Sequence, residues 1–145
     1  MKYILAVLVM TFSLQSSADS WLCTGDQSAG FQLTDGNWQP FSFTPGDQYL
    51  IKEADEKRSA YGGIYQVHVF GKKVPTWTCG DFRSVIGTEK LLVCDGWAAP
   101  GESFKYNPAT GHFLATRTTG YVQDGKEGGI SPATPSIEIG TCSPL

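Results

Sequence analysis

The chain has only two histidines, His68 and His112, and none of its four cysteines stands at CxxC spacing. Structural zinc sites are built from such clusters, so no metal or other cofactor is expected. There is no Gly-x-Ser-x-Gly elbow, no HExxH and no phosphate-cradling glycine loop, which removes the common signatures of hydrolases, zinc peptidases and nucleotide enzymes. Adjacent basic residues occur only as Lys57-Arg58 and Lys72-Lys73. Both read as solvated loop charge, too short for the clustered positive surface that nucleic-acid binding requires. No amphipathic helix of useful length and no internal repeat is present, and no motif names an activity.

The first eighteen residues read as a secretory signal peptide rather than part of the fold. Lys2 supplies a positive start, Ile4 to Leu14 is an apolar run broken only by Thr11 and Ser13, and Ser16-Ser17-Ala18 places small residues before a cleavage after Ala18. The run is shorter than the ~20 apolar residues of a membrane span, so stable membrane insertion is not expected. Cys23 follows Trp21-Leu22 without the small residues that precede a lipidated cysteine. Residues 19–145 then form a single exported, monomeric domain of a bacterium-like cell, periplasmic or extracellular. Losing Lys2 with the leader leaves ten basic against fourteen acidic side chains, a net charge of −4.

All four cysteines lie in the exported part. An even count in that compartment predicts two disulfides. Cys79 and Cys94 are equidistant from Ile86-Gly87, so an antiparallel hairpin turning there joins them, and Cys23 with Cys142 then ties the two ends of the domain.

What remains alternates like strands. Trp21-Leu22-Cys23 opens the domain, Thr24 to Ser28 has the composition of a turn, and Phe31 and Leu33 resume the alternation. Asp35-Gly36 predicts a tight reversal, after which Phe41 and Phe43 alternate. Tyr49 to Glu53 is a further strand, and the polar run Ala54 to Ser59 reads as an exposed loop. Gly63 to Phe70 gives the clearest β segment, with Tyr65, Val67 and Val69 on one face and Ile64, Gln66, His68 and Phe70 on the other. The apolar run Lys90 to Cys94 reads as a strand buried on both sides. Gln123 to Pro135 reads as a long mobile loop. Ser136 to Cys142 closes the domain, with Ile137, Ile139 and Thr141 on one face and Glu138 on the other.

The central hairpin is the most specific of these readings. Asn107 suits the first position of a type I turn, Pro108 presets the second, and Gly111 supplies a left-handed residue. A loop from Asn107 to His112 sets Tyr106 opposite Phe113 and Phe104 opposite Ala115. A register one residue away, through a bulge, stays open. Eight or nine short strands joined by turns predict an all-β, small antiparallel barrel, with a sandwich as the alternative.

Function is read from the aromatic content. Four Trp, six Tyr and eight Phe are many for a small core, and Trp38, Trp97 and Tyr121 in or beside loops are candidates for contact with a ligand. The competing reading is that such rings cap the barrel ends or pack on a disulfide. His112 reads as a turn residue and His68 as a structural strand residue, so neither is taken as catalytic. The chain is read as a non-catalytic binding module for a glycan or small apolar ligand. The alternative is a protein-binding inhibitor or immunity factor of the envelope, inserting Lys126 to Ile130 or the Asp55–Arg58 loop into a partner. A carboxylate-dependent hydrolase ranks third.

Gly36-Asn37-Trp38 is similar to the Gly-x-Trp element near the start of lipocalin and avidin-like barrels, although Gln39-Pro40 departs from the strand those barrels continue with. In size and compartment the domain resembles small exported, disulfide-linked barrels that block lysozyme. Neither resemblance extends to a motif that assigns a residue's role.

Overall fold

The computed structural model describes residues 20–59, 62–86, 89–96, 101–118 and 134–145. The leader, Gly87, Trp97, Tyr121 and the stretch Lys126 to Ile130 lie outside the described residues. The strands are β1 (Trp21–Thr34), β2 (Asn37–Phe43), β3 (Gln48–Glu53), β4 (Tyr65–Val69), β5 (Trp77–Cys79), β6 (Arg83–Ile86), β7 (Glu89–Gly96), β8 (Ser103–Asn107), β9 (His112–Arg117) and β10 (Ser136–Pro144). Between β3 and β4 stands one helical turn, α1 (Glu56–Ser59). This corrects the expected loop at Ala54 to Ser59: Glu56 stands favourably in its first turn, and the Ser59 N–H donates to the Asp55 carbonyl at 2.9 Å.

The order β1-β3-β4-β5-β7-β8-β9-β10 closes on itself through pairing of β10 with β1, an antiparallel barrel of eight strands. β2 extends beyond the wall beside β1, and β6 pairs with β7 outside the path. Closure decides for the barrel over the sandwich and leaves the eight wall strands no free sheet edge.

The expected turn at Thr24 to Ser28 is instead part of one long strand. β1 pairs with β10 from Trp21 to Gly30, with a register shift between Gly25 and Gln27. On its other side it pairs with β3 at Trp21–Thr24 and with β2 at Ser28–Thr34. The residues that resemble a turn absorb a bulge, which bends the strand without ending it.

Both disulfides join directly opposed residues. Cys23 faces Cys142 across β1 and β10, 3.9 Å between Cα atoms, and Cys79 faces Cys94 across β5 and β7 at 4.0 Å. The central hairpin has the expected register: Tyr106 opposes Phe113, Phe104 opposes Ala115, and Asn107 with His112 is the last pair before the turn. Asn107 Oδ1 accepts the Ala109 N–H at 2.9 Å, and Gly111 takes φ 73°, the role glycine fills at no steric cost.

The barrel interior is filled. Tyr49, Trp77, Phe104 and Phe113 form its centre, with Tyr49 edge-on to the other three rings at 5.5–5.7 Å and Phe104 stacked on Phe113 at 5.2 Å. Ile51, Val67 and Leu92 complete it, all fully buried. At the end of the barrel that holds the chain termini, Trp21 packs against Tyr65, Phe82 and Tyr106. Lys90 to Cys94 is buried on one side only: Leu92 and Cys94 point inward, whereas Leu91 and Val93 are half-exposed. A barrel wall has one inner face, so the continuous apolar run does not mean two-sided burial. Among the described residues no helix is long and apolar enough to cross a membrane.

Candidate functional site

The outer halves of β1 and β2 form a two-stranded arm that leaves the barrel at the end opposite the termini. Its turn is the expected Asp-Gly reversal, with Asp35 at φ 50° and Gly36 at φ 78° and Thr34 paired to Asn37. Two successive left-handed residues match the twist of a hairpin. The barrel does not share β2, so the arm stands on its own pairing with β1.

Register assigns the arm two faces. Leu33 opposes Trp38 and Phe31 opposes Pro40, so these four side chains share one face; Gly30 opposes Phe41 and Ser28 opposes Phe43, so the two phenylalanines share the other. The Phe41 and Phe43 rings pack at 5.0 Å. Phe31 is 49% exposed, Leu33 42% and Phe41 46%. A hairpin in water ordinarily turns one apolar face to a core; this one presents apolar rings on both.

The arm's edges are not templates for strand addition. The Phe31 N–H donates to the Pro135 carbonyl at 3.0 Å, away from β2. That marks Phe31 and Pro40 as a pair that does not hydrogen-bond across the ladder, so the backbone of Pro40 is directed to the free edge of β2. Proline has no N–H to offer there.

On β10 the inward side chains are Glu138, Gly140 and Cys142, and Ile137 and Ile139 are exposed on the outer wall. Ile137 opposes Ala29, next along β1 to the Phe31 face. A groove of about 800 Å³ follows this junction, lined by Ala29, Phe31, Phe43, Pro135, Ile137 and Ile139 among others. Ile139 also borders a second hollow of about 490 Å³ with Leu91, Lys105 and Leu114.

Beneath the junction lies Glu138, 9% exposed. Its Oε2 accepts the Tyr49 hydroxyl at 2.9 Å. Burial, then the nearby negative charge of Asp47, raises the carboxyl above its usual range, while the Tyr49 hydrogen bond and Arg117 pull it down. Burial likewise raises the Tyr49 hydroxyl, and Glu138 adds to the effect. Asp47 and Arg117 pair at 3.5 Å on the surface above. A side chain at Gly25 would strike Glu138 Oε1 and come within 3.1 Å of Pro45. Glu138 is thus roofed by chain and reads as a structural carboxylate.

The site residues expected from sequence fare unevenly. Trp38 is on the arm, half-buried beside Leu33, which places the Gly36-Asn37-Trp38 element outside the barrel wall. Trp97 and Tyr121 lie outside the described residues. His68 is buried on β4, with Nδ1 3.2 Å from the Lys72 carbonyl oxygen, and His112 is exposed on β9. β4 and β9 stand four places apart in the eight-strand circuit, on opposite sides of the barrel, so the two imidazoles cannot share a reaction. Among the described residues no group of histidine, cysteine and carboxylates could hold a metal ion. Phe31, Leu33, Phe41, Ile137 and Ile139 were not singled out by sequence reasoning as contact residues. The signal for the last two was present: Cys142 must face its disulfide partner inside, and counting back by two turns Glu138 inward and the isoleucines outward.

No protein-family model, curated protein or solved structure matches the chain.

Proposed function

We propose that this chain is an exported, non-catalytic binding module that engages its partner from outside the barrel, through the β1–β2 arm and the groove at the arm's base. The observation that carries this reading is the exposure of Phe31, Leu33 and Phe41 on an arm that contributes nothing to the barrel core. Leaving such side chains in water forgoes roughly 1.5–3 kcal/mol each relative to full burial, a cost that a partner covering them would relieve. The filled interior argues for an outer site. Export is supported by two disulfides, which persist in oxidising compartments, and by the composition of residues 1–18.

Of the partners considered, an envelope protein fits best, because both arm faces are apolar and carry few of the hydrogen-bonding groups that a glycan would need. A small apolar ligand is the second reading. It is favoured by the groove's volume of about 800 Å³, within the usual range for such sites.

The test is affinity retention on the immobilised, oxidised domain, using envelope extract and cell-wall glycans, with a Phe31→Ser/Phe41→Ser column beside it. A species held by the first column and released by the second is expected. Equal retention on both would remove the arm as the site.

A further inference from the structure

We infer that the partner is a protein with a cleft, and that the arm inserts into this cleft with both faces covered and its acidic tip at the floor. This rests on the reading of the arm as the binding element and adds the shape and charge of what receives it.

Three features argue for insertion over other modes. First, the apolar residues occupy opposite faces, with Phe31, Leu33 and Trp38 on one and Phe41 and Phe43 on the other. A flat surface could bury only one of these sets, whereas two facing walls bury both. Second, strand addition is opposed at the edges: Pro40 offers no donor on the free edge of β2, and the Phe31 N–H is already engaged by Pro135 on the edge of β1. Edge-to-edge pairing with a second copy of the chain meets the same obstacle, as does β-augmentation by a peptide. Third, from Gly30 to Phe43 the only charged residue is Asp35, at the turn. An apolar shaft with one carboxylate at its tip is complementary to a cleft with apolar walls and a cationic or N–H-rich floor.

The experiment places the photo-crosslinking residue p-benzoylphenylalanine at Leu33 or at Phe41 in the full-length chain, expressed in its own cells. Adducts are mapped by mass spectrometry, and circular dichroism with disulfide mapping verifies the fold of each variant. The expected result is the same partner from both positions, with the two cross-linked peptides on facing walls of one cleft. In an Asp35→Lys background the adduct yield should fall at least tenfold at both positions. Adducts from one face only, or unchanged yields with Asp35→Lys, would overturn insertion while leaving the arm as a binding element. Adducts to another copy of the chain or to lipid alone would overturn the cleft partner. No adduct from either face would overturn the underlying binding reading as well.

Discussion

The Tyr49 hydroxyl donates to Glu138 Oε2 at 2.9 Å across the barrel interior, joining β3 to β10 over 89 positions of sequence. The carboxylate is there because Cys142 fixes the inward parity of β10, and Tyr49 is what makes its burial tolerable. Tyr49→Phe keeps the ring packing and removes the donor. We expect a loss of about 1.5–3 kcal/mol, the range for a hydrogen bond to a charged group, measured by denaturant unfolding at neutral pH.

The same pair gives a pH dependence of defined sign. Burial raises the Glu138 carboxyl in the folded state above its ordinary value of 4.5, so the folded protein binds this proton more tightly than the unfolded chain. The contribution to stability therefore grows as pH falls through the folded pKa and is complete below about 4.5, the unfolded value. Glu138→Gln should flatten this part of the profile while retaining an acceptor for Tyr49. Unfolding midpoints across mildly acidic to neutral pH check it; a variant profile as steep as the parent's would assign the dependence to other groups.

The disulfides differ in the length of chain they close. Cys23–Cys142 spans 119 positions and Cys79–Cys94 spans 15. Chain entropy assigns about 4–5 kcal/mol to the longer loop and about 3 kcal/mol to the shorter. Paired Cys→Ala variants compared by chemical denaturation should show the larger loss for the terminal disulfide.

Glycine is required at some positions and incidental at others. A Cβ at Gly140 would meet the Thr24 carbonyl and lie 2.6 Å from the Phe113 ring, whereas one at Gly46 has nothing within 4 Å. Gly140→Ala should therefore cost about 1–3 kcal/mol or more, and Gly46→Ala should stay within about 0.5 kcal/mol of the parent. Thermal unfolding of the two variants side by side is the measurement.

Pro40 is expected to keep the arm from pairing edge to edge. Pro40→Thr restores an N–H on the free edge of β2 and should produce concentration-dependent dimers or larger species in size-exclusion chromatography. A variant that remains monomeric would mean that another feature protects the edge.

The barrel was legible in the sequence because its cues are local. Asp35-Gly36 dictates a reversal, Asn107 to His112 fixes a register, and Cys79 and Cys94 are symmetric about the Ile86-Gly87 pair. The bulge in β1 was not, since Gly25-Asp26 has turn composition whether the chain reverses or merely bends; pairing with β10 decides it. The helical turn at Glu56–Ser59 lacks the apolar periodicity that marks a helix. The candidate site was only partly legible. Trp38 was noticed as a loop-side ring, but Phe31, Leu33 and Phe41 look like ordinary strand interior until it is known that β2 lies outside the closed circuit. Alternation shows which residues share a face and leaves open which face a core will cover.

The most direct test of the arm as the binding element is the affinity of the captured partner for the parent, Phe31→Ser and Phe41→Ser proteins, with thermal unfolding recorded on the same samples. The account predicts binding at least tenfold weaker for each variant with a Tm within a few degrees of the parent's, as expected for side chains exposed outside the core. Unchanged affinity in both variants would contradict it.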